Sequence, residues 1–415
     1  MTFEKICVVG LGYIGLPTAA VIASRGIEVI GVDVSKRVID TINRGEVHIV
    51  EPDLDMLVQA TVNIGKLRAT LLAEPAQAFI IAVPTPFKEG HKPDLSYIHS
   101  AAKIIAPALE KGNLVILEST SPVGATEKLS AWLQVLRPDL SFPQTAAENA
   151  DIHIAHCPER VLPGHVLEEL VSNDRIVGGM SKKCSDLAIK LYKTFVRGEC
   201  YTTNSRTAEM AKLTENSFRD VNIAFANELS IICDKLQINV WELIALANRH
   251  PRVNILNPGP GVGGHCIAVD PWFIVDSAPE EAILIRHARE INDAKPNYVV
   301  KQVVDAAVQF KKPVIACLGL AFKADIDDLR ESPAVDIVLK LAQSNQGKIL
   351  AVEPNISHLP PKLQEAGIEL VSLKKALEEA NILVVLVDHK PFKTLTHNDI
   401  NTKVIMDTRG IFRHF

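Results

Sequence analysis

Short apolar runs and stretches of helical periodicity take turns along the first half of the chain. The runs fall at residues 6–9, 29–32, 79–83, 114–117, 152–156 and 175–177, with helical patterns around 14–24, 97–109 and 181–195 between them. Such runs, rich in valine and isoleucine, are too short for buried helices. Interleaved with amphipathic stretches, they predict parallel strands joined by crossover helices. Asn204 or Ser205 can then cap a helix that meets no proline or glycine before about Leu236, a length suited to connecting two domains. Proline and glycine crowd residues 251–271, which predicts a structured loop whose backbone comes close to something. After a second helical span, 282–310, strand and helix alternate again, with runs at 314–318, 348–352, 382–387 and 404–407. The expectation is an α/β protein with two doubly wound domains, 1–203 and 311–415, and between them a helical connector, 204–310, dominated by the long central helix.

Composition narrows the class. At 415 residues the chain exceeds what one hydrophobic core usually serves. With 47% apolar and 22% charged residues and a mean hydropathy of +0.14, it reads as globular. The formal net charge of -5 is small and lysine and arginine are scattered, so neither nucleic acid nor a membrane surface is an expected partner, and an anionic substrate must be held by a few local cations. The chain moves from Met1-Thr2-Phe3-Glu4-Lys5 directly into a short strand-like run, without the basic start and longer apolar core of a secretory signal. No later run approaches the roughly 20 residues of a bilayer span. The seven cysteines lack any Cys-x-x-Cys pair, as expected of reduced thiols in a cytoplasm. They suggest no disulfide frame and no metal site.

Gly10-Leu11-Gly12-Tyr13-Ile14-Gly15 follows the first strand and opens the first helix, the context that a Rossmann-like dinucleotide site requires. Gly10 permits the tight turn, Gly12 lets backbone approach a pyrophosphate, and Gly15 allows close helix-to-strand packing. The helix amino end supplies unpaired N–H groups. Asp33 ends the second strand, where its carboxylate can accept from the adenosine ribose and repel the extra phosphate of NADP, so NAD is the expected cofactor. Arg37 can meet either the adenine face or a phosphate.

The second concentration of chemistry is the run from Asn257 to Pro271, where Cys266 stands in a glycine-rich bend with His265 before it and Asp270 four residues after. A reactive thiolate needs exposure and nearby positive character or open amides, and such a loop can supply both; a small buried residue beside a turn is the plainer explanation. On the long helix Lys212, Asn216 and Arg219 are spaced four and three apart and share one face, which suits an anion or, more simply, solvent.

Five segments carry a family resemblance, in order along nearly the whole chain. They are Val9 to Pro17, Cys157-Pro158-Glu159-Arg160, Lys212 to Asn216, the Cys266 loop, and Ala321-Phe322-Lys323 with Arg330-Glu331-Ser332. Together they resemble the UDP-glucose/GDP-mannose dehydrogenases. The wording at Cys157 to Gly164 and at Gly263 to Pro271 is similar to the UDP-N-acetyl-D-mannosamine branch, whereas the glucose branch usually has serine before the cysteine. The resemblance implies oxidation of UDP-N-acetyl-D-mannosamine to the uronate with two NAD, through a thiohemiacetal and a thioester on Cys266. It assigns proton transfer or oxyanion stabilisation to Lys212 and Asn216, the hydrolytic water to Glu159 and Thr120, and tuning of the cysteine and lysine to Asp270. Each of these last three also has a structural reading: Glu159 can pair with Arg160, Thr120 can end a strand, and Asp270 can cap a turn. Arg160, Arg219, His250, Arg252 and Lys323, with Val161, Gly263 and Phe322, are implied for the nucleotide sugar. For NAD the implied set is Gly10, Gly12, Tyr13, Ile14, Gly15, Asp33, Arg37, Thr85, Thr126 and Arg330. A cytoplasmic homodimer formed through the long helix, serving bacterial surface-polysaccharide synthesis such as that of enterobacterial common antigen, fits the same resemblance. The alternatives are a sibling acting on UDP-glucose, UDP-N-acetyl-glucosamine or GDP-mannose, a single-step hydroxyacid dehydrogenase, and a dinucleotide-binding protein without turnover.

Overall fold

The structure, a computed structural model, describes residues 2–162, 164–264 and 266–413; Pro163 and His265, the neighbour that the sequence gives Cys266, lie outside the described residues. The chain forms two compact units, Met1–Glu215 with Asp276–Pro279, and Asn216–Val275 with Glu280–Phe415.

The first unit holds an eight-stranded sheet in the order β3-β2-β1-β4-β5-β6-β7-β8. Its strands are β1 (Lys5–Val9), β2 (Glu28–Val32), β3 (Leu67–Thr70), β4 (Ala78–Ile81), β5 (Leu114–Leu117), β6 (His153–His156), β7 (Arg175–Gly179) and β8 (Cys200–Asn204). Successive side chains enter opposite faces: Ile6 and Val8 join one apolar cluster, Cys7 and Val9 the other, so the central strands are buried on both sides. The all-parallel sheet expected as far as residue 177 stops at β6, because β7 pairs antiparallel to it through Ala155 with Gly179 and His156 with Gly178. Only these two pairs form before β6 ends, and the rest of β7 runs on beside the segment that follows β6. That placement brings Arg175 back to the carboxyl end of β6. The two edge strands escape the apolar pattern: β3 is half-buried in alternation and β8 is mostly exposed.

The second unit contains a five-stranded parallel sheet in the order β11-β10-β9-β12-β13, made of β9 (Val314–Leu318), β10 (Lys348–Val352), β11 (Glu369–Leu370), β12 (Ile382–Val385) and β13 (Val404–Asp407). The order repeats that of β1 to β5. The fold is thus the expected α/β pair of doubly wound Rossmann-like sheets with a long helix, Ser205–Leu236. Asn204 caps that helix by accepting the Thr207 amide at 2.9 Å. No helix among the described residues is long and apolar enough to cross a membrane.

Candidate active site

The glycine turn has the geometry its sequence requires. Gly10 takes φ 91°, and a Cβ there would stand 2.6 Å from the Ala82 carbonyl oxygen; one on Gly15 would collide with the Gly10 carbonyl. Nothing lies within 4 Å of a Cβ on Gly12, so this backbone is open to a ligand. The Asp33 carboxylate is fixed by the Leu11 amide at 3.0 Å and the Ser35 amide at 2.9 Å, and each oxygen keeps a second lone pair. Tyr13 is exposed, Ile14 is half-buried beside it, and Arg37 is exposed in the first turn of helix Lys36–Asn43. This cradle stands at the carboxyl end of β1, where the strand order reverses between β2 and β4, the place where open sheets bind nucleotides. Open backbone, an amino-terminal helix end and a fixed acceptor fit a pyrophosphate followed by a ribose diol.

Around the ends of β4, β5 and β6 the structure joins several candidates. The Thr85 hydroxyl donates to the Thr120 carbonyl. Glu159 is buried and does not pair with the Arg160 side chain. Its carboxylate accepts the Arg160 amide at 2.6 Å and forms a 2.6 Å ion pair with Arg175, which the β6–β7 register, continued, places opposite it. The Arg160 guanidinium instead grips both oxygens of Glu215, at 2.7 and 3.1 Å. Val161 is partly buried against the core. Thr126 is buried, with its hydroxyl and amide both donated to Glu209, which also takes the Gly124 amide. A residue missed in the sequence is Glu118, fully buried after β5, with one oxygen accepting the Tyr192 hydroxyl at 2.9 Å. Burial, and then the charge of Glu159, push its carboxyl well above the usual range. Nothing in the sequence marked it, because it merely ends an apolar run.

In the second unit Cys266 is the single exposed cysteine of the seven. Burial pushes the thiols of Cys7, Cys157 and Cys317 up to about 12 and raises those of Cys200 and Cys233. The Cys266 carbonyl accepts the amides of Val269 at 3.0 Å and Asp270 at 2.9 Å, so the residue stands at the amino end of the turn that becomes helix Asp270–Ser277. The amino end of a helix favours negative charge. Asp270 is buried and accepts the Asn216 side-chain amide at 2.5 Å.

The close approach expected of the glycine loop is to residues 322–333. A Cβ on Gly263 would stand 2.6 Å from Pro333 and overlap the Glu331 carbonyl; one on Gly264, whose φ is 82°, would meet the Phe322 ring at 3.3 Å. Upstream, the Gly259 amide donates to Asn227 at 2.8 Å, and Asn227 continues into a buried chain through Asn292 and Asp220 to Arg289. Phe322 is half-buried and Lys323 exposed, while Arg330 is exposed and holds Asp328 through two bonds of 2.9 and 2.6 Å. Lys212, half-buried, has no ion-pair partner among the described residues. Arg219 is exposed further along the same helix. His250 and Arg252 lie in an exposed turn after helix Val240–Ala247, and no hydrogen bond or ion pair among the described residues links them to the motif segments.

Family models match the chain end to end. The NAD binding domain of the UDP-glucose/GDP-mannose dehydrogenase family matches residues 4–196, its central domain 206–294 and its UDP binding domain 316–414. The chain belongs to this family. It is an NAD-dependent nucleotide-sugar dehydrogenase. Among its relatives, a UDP-N-acetyl-D-mannosamine dehydrogenase of Campylobacter jejuni is 66% identical over 392 residues, 94% of this chain and 96% of the relative. An NDP-N-acetyl-D-galactosaminuronic acid dehydrogenase of Ralstonia nicotianae is 65% identical over 410 residues, 99% of this chain and 96% of the relative. The solved structure of a UDP-D-ManNAc dehydrogenase from Pyrococcus horikoshii superposes with a TM-score of 0.87 at 41% identity, covering 98% of this chain and 96% of that one.

Proposed function

We propose that the enzyme oxidises the primary alcohol of UDP-N-acetyl-D-mannosamine to the carboxylate in two steps, using Cys266 as the nucleophile that holds the intermediate. The observation that carries this reading is the exposure of Cys266 alone among the cysteines, at the amino end of a helical turn on a glycine loop. NAD, when bound, accepts one hydride in each oxidation. Lys212 takes the proton of the alcohol in the first. The Cys266 sulfur then adds to the aldehyde carbon, forming a C–S bond while the oxygen gains a proton, and Lys212 removes that proton as the second hydride leaves. Asn216, oriented by Asp270, donates to the same oxygen. The resulting thioester is attacked by water held by Thr120 and Glu159; the C–S bond breaks and the thiolate is returned. Arg175 keeps Glu159 in place for that step.

We assign the cofactor to residues 1–203, the connector and cysteine loop to 204–310, and the UDP-sugar to 311–415. Gly10, Gly12, Tyr13, Ile14, Gly15, Asp33 and Arg37, with Thr85, Thr126 and Arg330, form the proposed NAD set; the Thr126 hydroxyl, donated to Glu209, keeps its acceptor lone pairs. Replacing Asp33 by serine is expected to raise the KM for NAD about tenfold and to narrow its advantage over NADP, read from steady-state kinetics with both cofactors. An unchanged preference would remove Asp33 from the site. Arg160, Val161, Arg219, His250, Arg252, Gly263, Phe322 and Lys323 are assigned to the nucleotide sugar. A homodimer formed through the long helix is supported by Phe218, Phe225 and Ile232, exposed by 71%, 50% and 44% and seven residues apart. A cytoplasmic role in bacterial surface-polysaccharide synthesis completes the reading.

A second reading, an N-acetyl-galactosamine nucleotide as substrate, is favoured by the name of the Ralstonia relative. Kinetics with a panel of nucleotide sugars decides between them. The highest kcat/KM is expected for UDP-N-acetyl-D-mannosamine, and a higher value for UDP-N-acetyl-D-galactosamine would replace the first reading with the second.

A further inference from the structure

The second sheet repeats the strand order of the first, and the residue at the end of its second strand, β10, is Glu353, in the place that Asp33 holds after β2. Both carboxylates face the loop after the central strand. Asp33 accepts the Leu11 amide; Glu353 accepts the amides of Leu320 at 2.8 Å and Ala321 at 3.1 Å. There the likeness ends. Asp33 is half-buried and keeps lone pairs for a ribose, whereas Glu353 is 4% exposed and is occupied from inside the domain. Its Oε1 accepts the Asn355 amide at 3.1 Å and that residue's Nδ2 at 3.2 Å, and its Oε2 also meets Nε2 of His389 at 3.0 Å.

These partners fix the state of His389, which is fully buried. Burial would raise the Glu353 carboxyl, but hydrogen bonds from His389 and from the Leu320 and Asn355 amides outweigh it and hold it below its ordinary value. Glu353 is therefore an acceptor, and the hydrogen between the two belongs to Nε2. That leaves Nδ1 to accept, and it takes the Asp325 amide at 2.9 Å, with Asn355 Nδ2 beside it at 3.2 Å. Asp325 is the residue of the loop in the left-handed region, φ 61°, and its own carboxylate accepts the Lys390 amide at 3.0 Å. Two bonds in opposite senses thus clasp residues 322–330 to the segment after β12, and the Phe322 amide closes the loop on the Asp328 carbonyl at 3.1 Å.

We propose that His389 is a positioning residue for the nucleotide sugar: by clasping Asp325 it sets where Phe322 and Lys323 stand, using a carboxylate that the first domain reserves for a ribose. The inference rests on the reading that residues 322–330 touch the nucleotide sugar. His389→Leu fills the same space without either hydrogen bond, whereas His389→Gln keeps an acceptor and a donor at a similar separation. His389→Leu is expected to raise the KM for the nucleotide sugar about tenfold or more, with kcat and the KM for NAD within about twofold, and His389→Gln to recover most of the loss. Amide exchange should quicken in residues 321–331 and stay unchanged in the first unit. Asp325→Gly, which tolerates the positive φ and removes the reciprocal bond, should act in the same direction should the leucine variant not fold. An unchanged KM in His389→Leu, or a KM that rises with exchange quickening across both units, would overturn the proposal. Lys323→Ala separates the two levels. Without an effect on KM it removes the reading beneath; with an effect, while His389→Leu has none, it removes the positioning role alone.

Discussion

Cys266→Ser is expected to bind NAD and the nucleotide sugar within about twofold of the parent and to form the acid at least about a thousandfold more slowly. An aldehyde carries no hydroxyl from which to drive out a second hydride, so something must add to its carbonyl, and the hydroxyl of serine is a far weaker nucleophile than a thiolate at neutral pH. The loss should fall on the second oxidation, leaving at most one NADH for each bound sugar. Fold damage is not expected, since the side chain is exposed and the turn is held by its carbonyl. Product acid formed at the parental rate would exclude the covalent scheme.

Lys212→Met is expected to lower kcat by about a hundred- to ten-thousandfold, the range for loss of a positioned acid–base group. It differs from the cysteine variant in where the block falls. Without a group to take the alcohol proton, the first hydride cannot leave either, so a rapid-mixing experiment should show no burst of NADH, whereas Cys266→Ser should show one. Lys212 is half-buried and has no ion-pair partner among the described residues, so methionine leaves no buried charge unpaired. A burst of full amplitude in Lys212→Met would assign the proton transfer elsewhere.

Strands whose burial is complete were the most legible from sequence. The runs at 114–117, 314–318 and 348–352 coincide with β5, β9 and β10, the half-buried edge strand β13 still carries its apolar run at 404–407, and the unbroken stretch from Ser205 to Leu236 is one helix. The edge strands of the first sheet were not, since β3 and β8 need only one covered side and show no apolar run. The reversal of β7 was also hidden, because direction depends on which partner a strand finds. The glycine turn was readable as well, because Gly10, Gly12 and Gly15 form a pattern within six residues, although the backbone that excludes a Cβ at Gly10 is that of Ala82, on another strand's end. The supports of the site were not readable. Glu118 and Arg175 around Glu159, Asn227 behind the cysteine loop, and His389 behind residues 322–330 acquire meaning only when strands and helices distant in sequence are brought together. The resemblance implied which groups react, and the structure shows what surrounds them.

In the proposed scheme one sulfur captures an aldehyde that never leaves the enzyme. The most direct test is to count NADH formed per UDP-N-acetyl-D-mannosamine consumed in the presence of a hydrazine that traps free aldehyde. About two NADH for each acid, with no trapped product, is the predicted result; one NADH matched by one trapped aldehyde would contradict it.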